Sequence, residues 1–151
     1  MAGIRRRARE IALQILFKLD ANPELAADDA LALYFSELAS AGEEDGPSRP
    51  GESLDRSFVA RVVSGVSQQR AVLDEGLQRV SRNWRVERMT RVDRCVLRLA
   101  FYELRFEPDV PPQVVLNEAI ELAKRFGSGE AAAFVNGILD SALRQFPRTT
   151  R

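Results

Sequence analysis

The stretch NWRVERMTRVDRCVLRLAFYELRFEPDVPPQVVLNEAIELAKRFGSGEAAAFVNGILDSALRQF, residues 83–146, decides the fold, because three helices can be drawn in it with their start and stop signals in place. Thr90 followed three residues later by Asp93 is the acidic variant of a capping box and predicts a helix over 91–105, ahead of Pro108. At 100° per residue, Val92, Cys95, Val96 and Leu99 fall on one side of it and Leu97, Phe101 and Leu104 on another. Only a narrow strip remains for Arg91, Arg94, Arg98 and Arg105. A helix apolar over most of its circumference packs on several neighbours at once, so this one is central. Glu103 falls between Val96 and Leu99 in angle. A carboxylate buried alone there costs roughly several kcal/mol, so a structural ion pair or hydrogen bond is expected rather than a catalytic acid.

Working outward, Asp109, Val110, Pro111 and Pro112 open the next helix, since proline suits a first turn whose N–H groups lack partners. Gly127 ends it as an expected left-handed C-cap, and Val115, Leu116, Ala119, Leu122, Ala123 and Phe126 form its apolar face. The last helix is expected to start at a Ser128 cap and to bury Ala131, Val135, Ile138, Leu139 and Ala142, with Phe134 at the edge of that face. Gly137 inside it costs about 1 kcal/mol relative to alanine. Either another helix crosses closely there or a ligand does, and packing is favoured on general grounds.

Toward the N-terminus, residues 4–20 place Ile4, Ala8, Ile11, Ala12, Ile15 and Leu19 on one face. Opposite lie Arg6, Arg9 and Glu10, flanked by Arg5 and Arg7, with Leu13 and Phe17 among them. Arginines beside an aromatic ring suit single-stranded RNA, guanidinium groups holding phosphates while the ring stacks on a base. The alternative is that Leu13 and Phe17 pack under a second helix. Three further helices are expected, over 26–41 (Leu31, Leu33, Tyr34, Phe35, Leu38), 53–67 (Phe58, Val59, Val62, Val63, Val66) and 69–80 (Val72, Leu73, Leu77, Val80). Between the first two of these, GEEDGPSRPGE at 42–52 is a mobile acidic loop. No β pattern, repeat or phosphate-binding loop is present in the sequence. The expected fold is all-α, a single domain of about seven helices with the last three at its centre.

The 151 residues suffice for one domain with a real core, and 45% hydrophobic with 29% charged residues is the balance of a globular protein. With no histidine and a single cysteine, the usual zinc sites and Ser–His or Cys–His catalysis are excluded. Cys95, on an apolar helix face, is expected to be a buried thiol. No run approaches the ~18 apolar residues of a membrane span, and a cytoplasmic location is expected. The net charge of zero conceals unlike parts: residues 1–20 hold five basic and two acidic side chains, 21–55 one and nine, 56–105 eleven and five. Anionic partners are therefore sought on the first and third of these segments.

The words RRRAREIALQILF (5–17), NWRVERMTRVDRCVLRLAFYEL (83–104), VPPQVVLNEAIELAKRFG (110–127) and FVNGILD (134–140), in that order, resemble the NusB family of bacterial transcription antitermination factors. The resemblance implies an all-helical fold without enzymatic activity or cofactor. It also implies a complex with the ribosomal protein NusE that binds the single-stranded boxA element of ribosomal RNA leaders and joins an RNA polymerase antitermination complex. Carried over by position, the RNA site falls on Arg5, Arg6, Arg7, Arg9, Gln14 and Phe17, and on Gly127, Glu130 and Phe134, with both aromatics exposed. The NusE surface falls on Glu87, Arg88 and Asp93. Ala131 to Ala133 offer no polar side chains beside Phe134. Alternatives are the NusB-like domain of a ribosomal RNA cytosine methyltransferase, a self-associating bundle or homodimer that hides its arginines, and an enzyme built on Glu103.

Overall fold

The computed structural model describes residues 2–40 and 55–146, which are helical with no strand among them. The acidic segment 42–52 and the expected helix ends at Ala41 and Ser53 lie outside the described residues. No helix among the described residues is long and apolar enough to cross a membrane. Seven α-helices are described, in two compact units, Met1–Ser67 and Gln68–Arg151.

The first unit holds α1 (Ala2–Ala21), α2 (Ala27–Ser40) and α3 (Arg56–Gln68, its last residue past the division). Helices α1 and α2 pack together across a turn that Asn22 closes by donating its amide to the Lys18 carbonyl at 2.8 Å. The expected core face of α1 is buried at Ala8, Ile11, Ala12 and Ile15, but burial extends around the helix to Arg9, Glu10, Leu13 and Leu16. The solvated face drawn from periodicity is therefore narrower than expected. Leu13 is in the core, and Phe17, at 39% exposure, is not. Helix α3 buries Phe58, Val59, Val62, Val63 and Val66, the five residues its pattern marks. It starts at Arg56 because the Asp55 carboxylate accepts the Phe58 N–H at 3.0 Å, the bond of an N-cap.

The second unit holds α4 (Arg70–Val80), a 3-10 turn (Val86–Arg88), α5 (Arg91–Phe106), α6 (Pro112–Phe126) and α7 (Ala131–Gln145). Thr90 caps α5, its hydroxyl accepting the Asp93 N–H at 3.1 Å. Helix α5 touches α4, α6 and α7 and is buried without a break from Cys95 to Leu104, as its two apolar sides require. Glu103 is inside this run and is not left without a partner. Arg98 is inside it as well, against expectation, and is held by Asp74 of α4.

Three local expectations are corrected. Helix α4 turns Leu73, Gly76 and Leu77 inward and leaves Val72 exposed, because Gly76 lets the ring of Phe101 lie directly on the α4 backbone. Gly127 is extended, with φ −98° and ψ −176°, rather than left-handed. Its value is space, since a Cβ would stand 2.6 Å from the Ala131 Cβ and 2.8 Å from the Ala123 carbonyl. Finally, α7 has no side-chain cap: Ser128 offers only its carbonyl, which accepts the Ala131 N–H at 3.0 Å. Its buried face is the predicted set of Ala131, Val135, Ile138, Leu139 and Ala142. A Cβ at Gly137 would meet nothing within 4 Å, so among the described residues no helix crosses there.

Candidate nucleic-acid interface

The arginines of α1 cannot all face one way, because Arg5, Arg6, Arg7 and Arg9 span more than a turn. Arg5 and Arg9, four residues apart, both lie over the ring of Phe58, with guanidinium carbons 4.1 and 5.4 Å from its centroid. Arg61 of α3 is a third cation at 5.5 Å. Arg9 is only 3% exposed, so it is part of the core of this unit rather than of the solvated face expected for it. Arg5 is half-buried and donates from Nε to Asp55 at 3.2 Å. The Phe58 N–H above all, then the hydrogen bond and charge of Arg5 and the charge of Arg61, hold the Asp55 carboxyl below its ordinary range, against an opposing effect of burial. Arg7 lies 3.6 Å from Glu10.

Among the residues α1 presents to solvent are Arg6, Gln14, Phe17 and Lys18, with Arg7 half-buried. At 100° per residue, Arg6 and Phe17 differ by about 20° in angle, and so do Arg7 and Gln14. Two stripes result, one of Arg6 and Phe17 and one of Arg7, Gln14 and Lys18, each joining cationic charge to a group able to stack or hydrogen-bond.

In the second unit, Gly127, Glu130 and Phe134 occupy the α6–α7 connection and the first turn of α7. Glu130 is exposed and Phe134 half-buried, edge to face with Trp84 at 5.7 Å between centroids. Of the residues marked for a protein partner, Glu87 and Arg88 are exposed on the 3-10 turn, where Glu87 pairs with Arg85 at 3.1 Å. That turn is tied to α5 by Arg94, which donates to the Met89 carbonyl at 2.8 Å. Asp93 differs from them: it is 8% exposed, and its Oδ1 has no hydrogen-bond partner among the described residues.

Periodicity passed over Trp84, which is 61% exposed although it is the only tryptophan of the chain. It lies between helices, where no periodic face exists to score it. A large ring set among arginines in a polar segment, SRNWRVER, is the signal that marks it.

These elements define an all-helical protein that presents cationic and aromatic side chains to solvent in both of its units, with no cluster of three or more metal-binding residues among those described. The model of the NusB family matches residues 6–144, and the chain belongs to that family. It is 43% identical over 149 residues to the transcription antitermination protein NusB of Sorangium cellulosum, covering 99% of this chain and 98% of that one. The corresponding protein of Myxococcus xanthus is 44% identical over 138 residues, covering 91% and 93%. Both relatives are transcription antitermination proteins. Among solved structures, T. maritima NusB superposes with a TM-score of 0.76 at 31% identity, over 93% of this chain and 91% of that one. A structure of antitermination factors NusB and NusE in complex with dsRNA shares the fold, with a TM-score of 0.76 at 20% identity over 97% and 100% of the two chains.

Proposed function

We propose that this protein is a transcription antitermination factor that binds boxA-type single-stranded RNA of ribosomal RNA leaders together with NusE, as part of an RNA polymerase antitermination complex in the cytoplasm. Membership of the NusB family over residues 6–144 carries the proposal. The whole chain then acts as one RNA-binding domain. Arg6 and Arg7, with Arg5 behind them, supply phosphate contacts, and Phe17 and Phe134 supply stacking surfaces. Gln14, Gly127 and Glu130 complete the RNA surface. Arg9 serves it indirectly, by holding α1 on Phe58. Glu87 and Arg88 face NusE, and Asp93, 8% exposed in the first turn of α5, joins that surface.

Phosphate contacts alone give weak, salt-sensitive binding, and NusE enlarges the cationic surface and fixes the path of the strand. The test is fluorescence anisotropy of a boxA strand and a scrambled control at two salt concentrations, with and without NusE. Tighter, sequence-selective binding on adding NusE is expected. Equal weak binding of both strands in every condition sinks the proposal and leaves a helical protein-interaction module. Molar mass measured with and without RNA tests a homodimer that masks α1. The methyltransferase-domain reading gains nothing from relatives that are matched over 98% of their own length.

A further inference from the structure

Trp84 combines an exposed ring with a fixed backbone. Its N–H donates to the Ser81 carbonyl at 2.8 Å, and its own carbonyl accepts from Gln78 Nε2 at 3.1 Å and lies 3.2 Å from the Ser81 hydroxyl. Gln78 also accepts the Val86 N–H at 3.0 Å, so α4 grips the segment on both sides of the tryptophan. The side chain projects from this frame to solvent and meets the ring of Phe134 edge to face. A turn further along α7, Gly137 leaves open space beside Phe134, where any larger residue would fill it. Among the described residues helix packing does not account for that glycine, which leaves approach by a ligand as the alternative reading. The residues around the tryptophan, 79–88, hold Arg79, Arg82, Arg85 and Arg88 against the single acid Glu87, a balance of +3. Arg82 and Arg88 are exposed.

We propose that Trp84, Phe134 and Gly137 form a seat for one unstacked nucleobase of a single strand, with Arg82 and Arg88 placed for its flanking phosphates. This rests on the RNA-binding function proposed above and adds Trp84 to it as a specificity-determining residue. The occupant is a nucleic-acid base rather than a protein side chain because the exposed ring stands in a segment where arginines outnumber acids, with Arg82 and Arg88 exposed. Tryptophan stacks on any base, and a preorganised backbone loses little freedom on binding.

Trp84 is the only tryptophan, so its emission reports on this seat alone. The full chain with NusE is titrated with the single-stranded RNA used above, following tryptophan emission against a NusE control and the anisotropy of labelled RNA in parallel. Quenching that tracks the anisotropy isotherm is expected. Trp84→Ala weakens binding about tenfold, and Trp84→Phe less, because stacking on a ring survives. Gly137→Leu, which fills the seat while removing a helix-interior glycine, weakens binding without lowering the melting temperature and covers the case of an unstable tryptophan variant. If the RNA binds while emission stays constant and Trp84→Ala binds like the parent, the seat is refuted and the RNA-binding function stands. If the parent binds no RNA even with NusE, both fall. Emission that responds to NusE alone, with no further change on adding RNA, overturns the seat in favour of a protein contact.

Discussion

Arg98 grips Asp74 with two parallel bonds, Nε to Oδ1 at 2.7 Å and the terminal nitrogen to Oδ2 at 2.9 Å, joining the buried middle of α5 to α4. The two ends of the pair are unequally wet: the Arg98 side chain is 7% exposed and that of Asp74 30%. Removing the carboxylate takes both bonds from the cation in the drier place, whereas removing the arginine leaves Asp74 with water and with Arg70 at 4.0 Å. Asp74→Ala should therefore destabilise the chain by about 3 kcal/mol and Arg98→Met by about 1 kcal/mol. Urea unfolding of both variants checks the order, and an Arg98→Met variant weaker than Asp74→Ala would contradict it.

Asp55 couples the stability of the first unit to pH. Its folded pKa is depressed, chiefly by the Phe58 N–H and then by Arg5 and Arg61. Its contribution is therefore complete above the unfolded value of about 3.9 and is lost as pH falls through the lower folded value. Asn at this position still caps α3 but carries no charge. Asp55→Asn should be less stable than the parent at neutral pH, with the gap closing as pH falls below the depressed folded value, while Asp55→Ala also loses the cap, about 1 kcal/mol. Denaturant midpoints across that pH range are the measurement, and a gap that persists unchanged in acid would remove the ionic part of the argument.

Two helix-interior glycines should respond in opposite directions to the same substitution. A Cβ at Gly76 would come within 2.7 Å of Phe101 Cζ, and Phe101 is buried. Gly76→Ala should cost about 1–3 kcal/mol as overpacking, outweighing the helical gain. At Gly137 the space is open, so Gly137→Ala should stabilise by about 0.5–1 kcal/mol. Melting temperatures of the two variants decide the matter, and equal shifts would mean that the packing at Phe101 relaxes freely.

The helices that carry large apolar side chains were legible in the sequence. Helix α3 and helix α7 bury the residues their patterns mark, and Thr90 caps α5 where its spacing places it. Small and charged residues were read less well, because 100° periodicity scores side chains by polarity and cannot see what stands opposite them. Gly76 enters the core because Phe101 needs its surface, and Arg9 enters because Phe58 offers it a ring. Gly127 follows the same logic: the chain spends a glycine there on closeness to Ala131, not on a left-handed turn. Of the candidate site, the exposed stripe of Arg6 and Phe17 was visible as a cationic and aromatic face of α1. Trp84 was not, since it belongs to no helix.

Arg6 and Arg9 provide the sharpest contrast within one helix. Arg6 is exposed, and its replacement by alanine removes little packing, so stability should stay within about 0.5 kcal/mol of the parent. If Arg6 neutralises one phosphate of a single strand, the slope of log affinity against log salt should fall by about 0.7. Arg9 lies over Phe58 at 5.4 Å and is almost fully buried, so Arg9→Ala loses a cation–π contact and the packing of its stem, about 1–2 kcal/mol of stability. Its salt slope should match the parent's as long as the protein is folded, because the guanidinium meets Phe58 rather than phosphate. Anisotropy titrations across a salt series, paired with urea unfolding, separate the two effects. A folded Arg9→Ala variant with a flattened salt slope would move Arg9 from the core to the RNA surface, and an Arg6→Ala variant with an unchanged slope would take Arg6 off it.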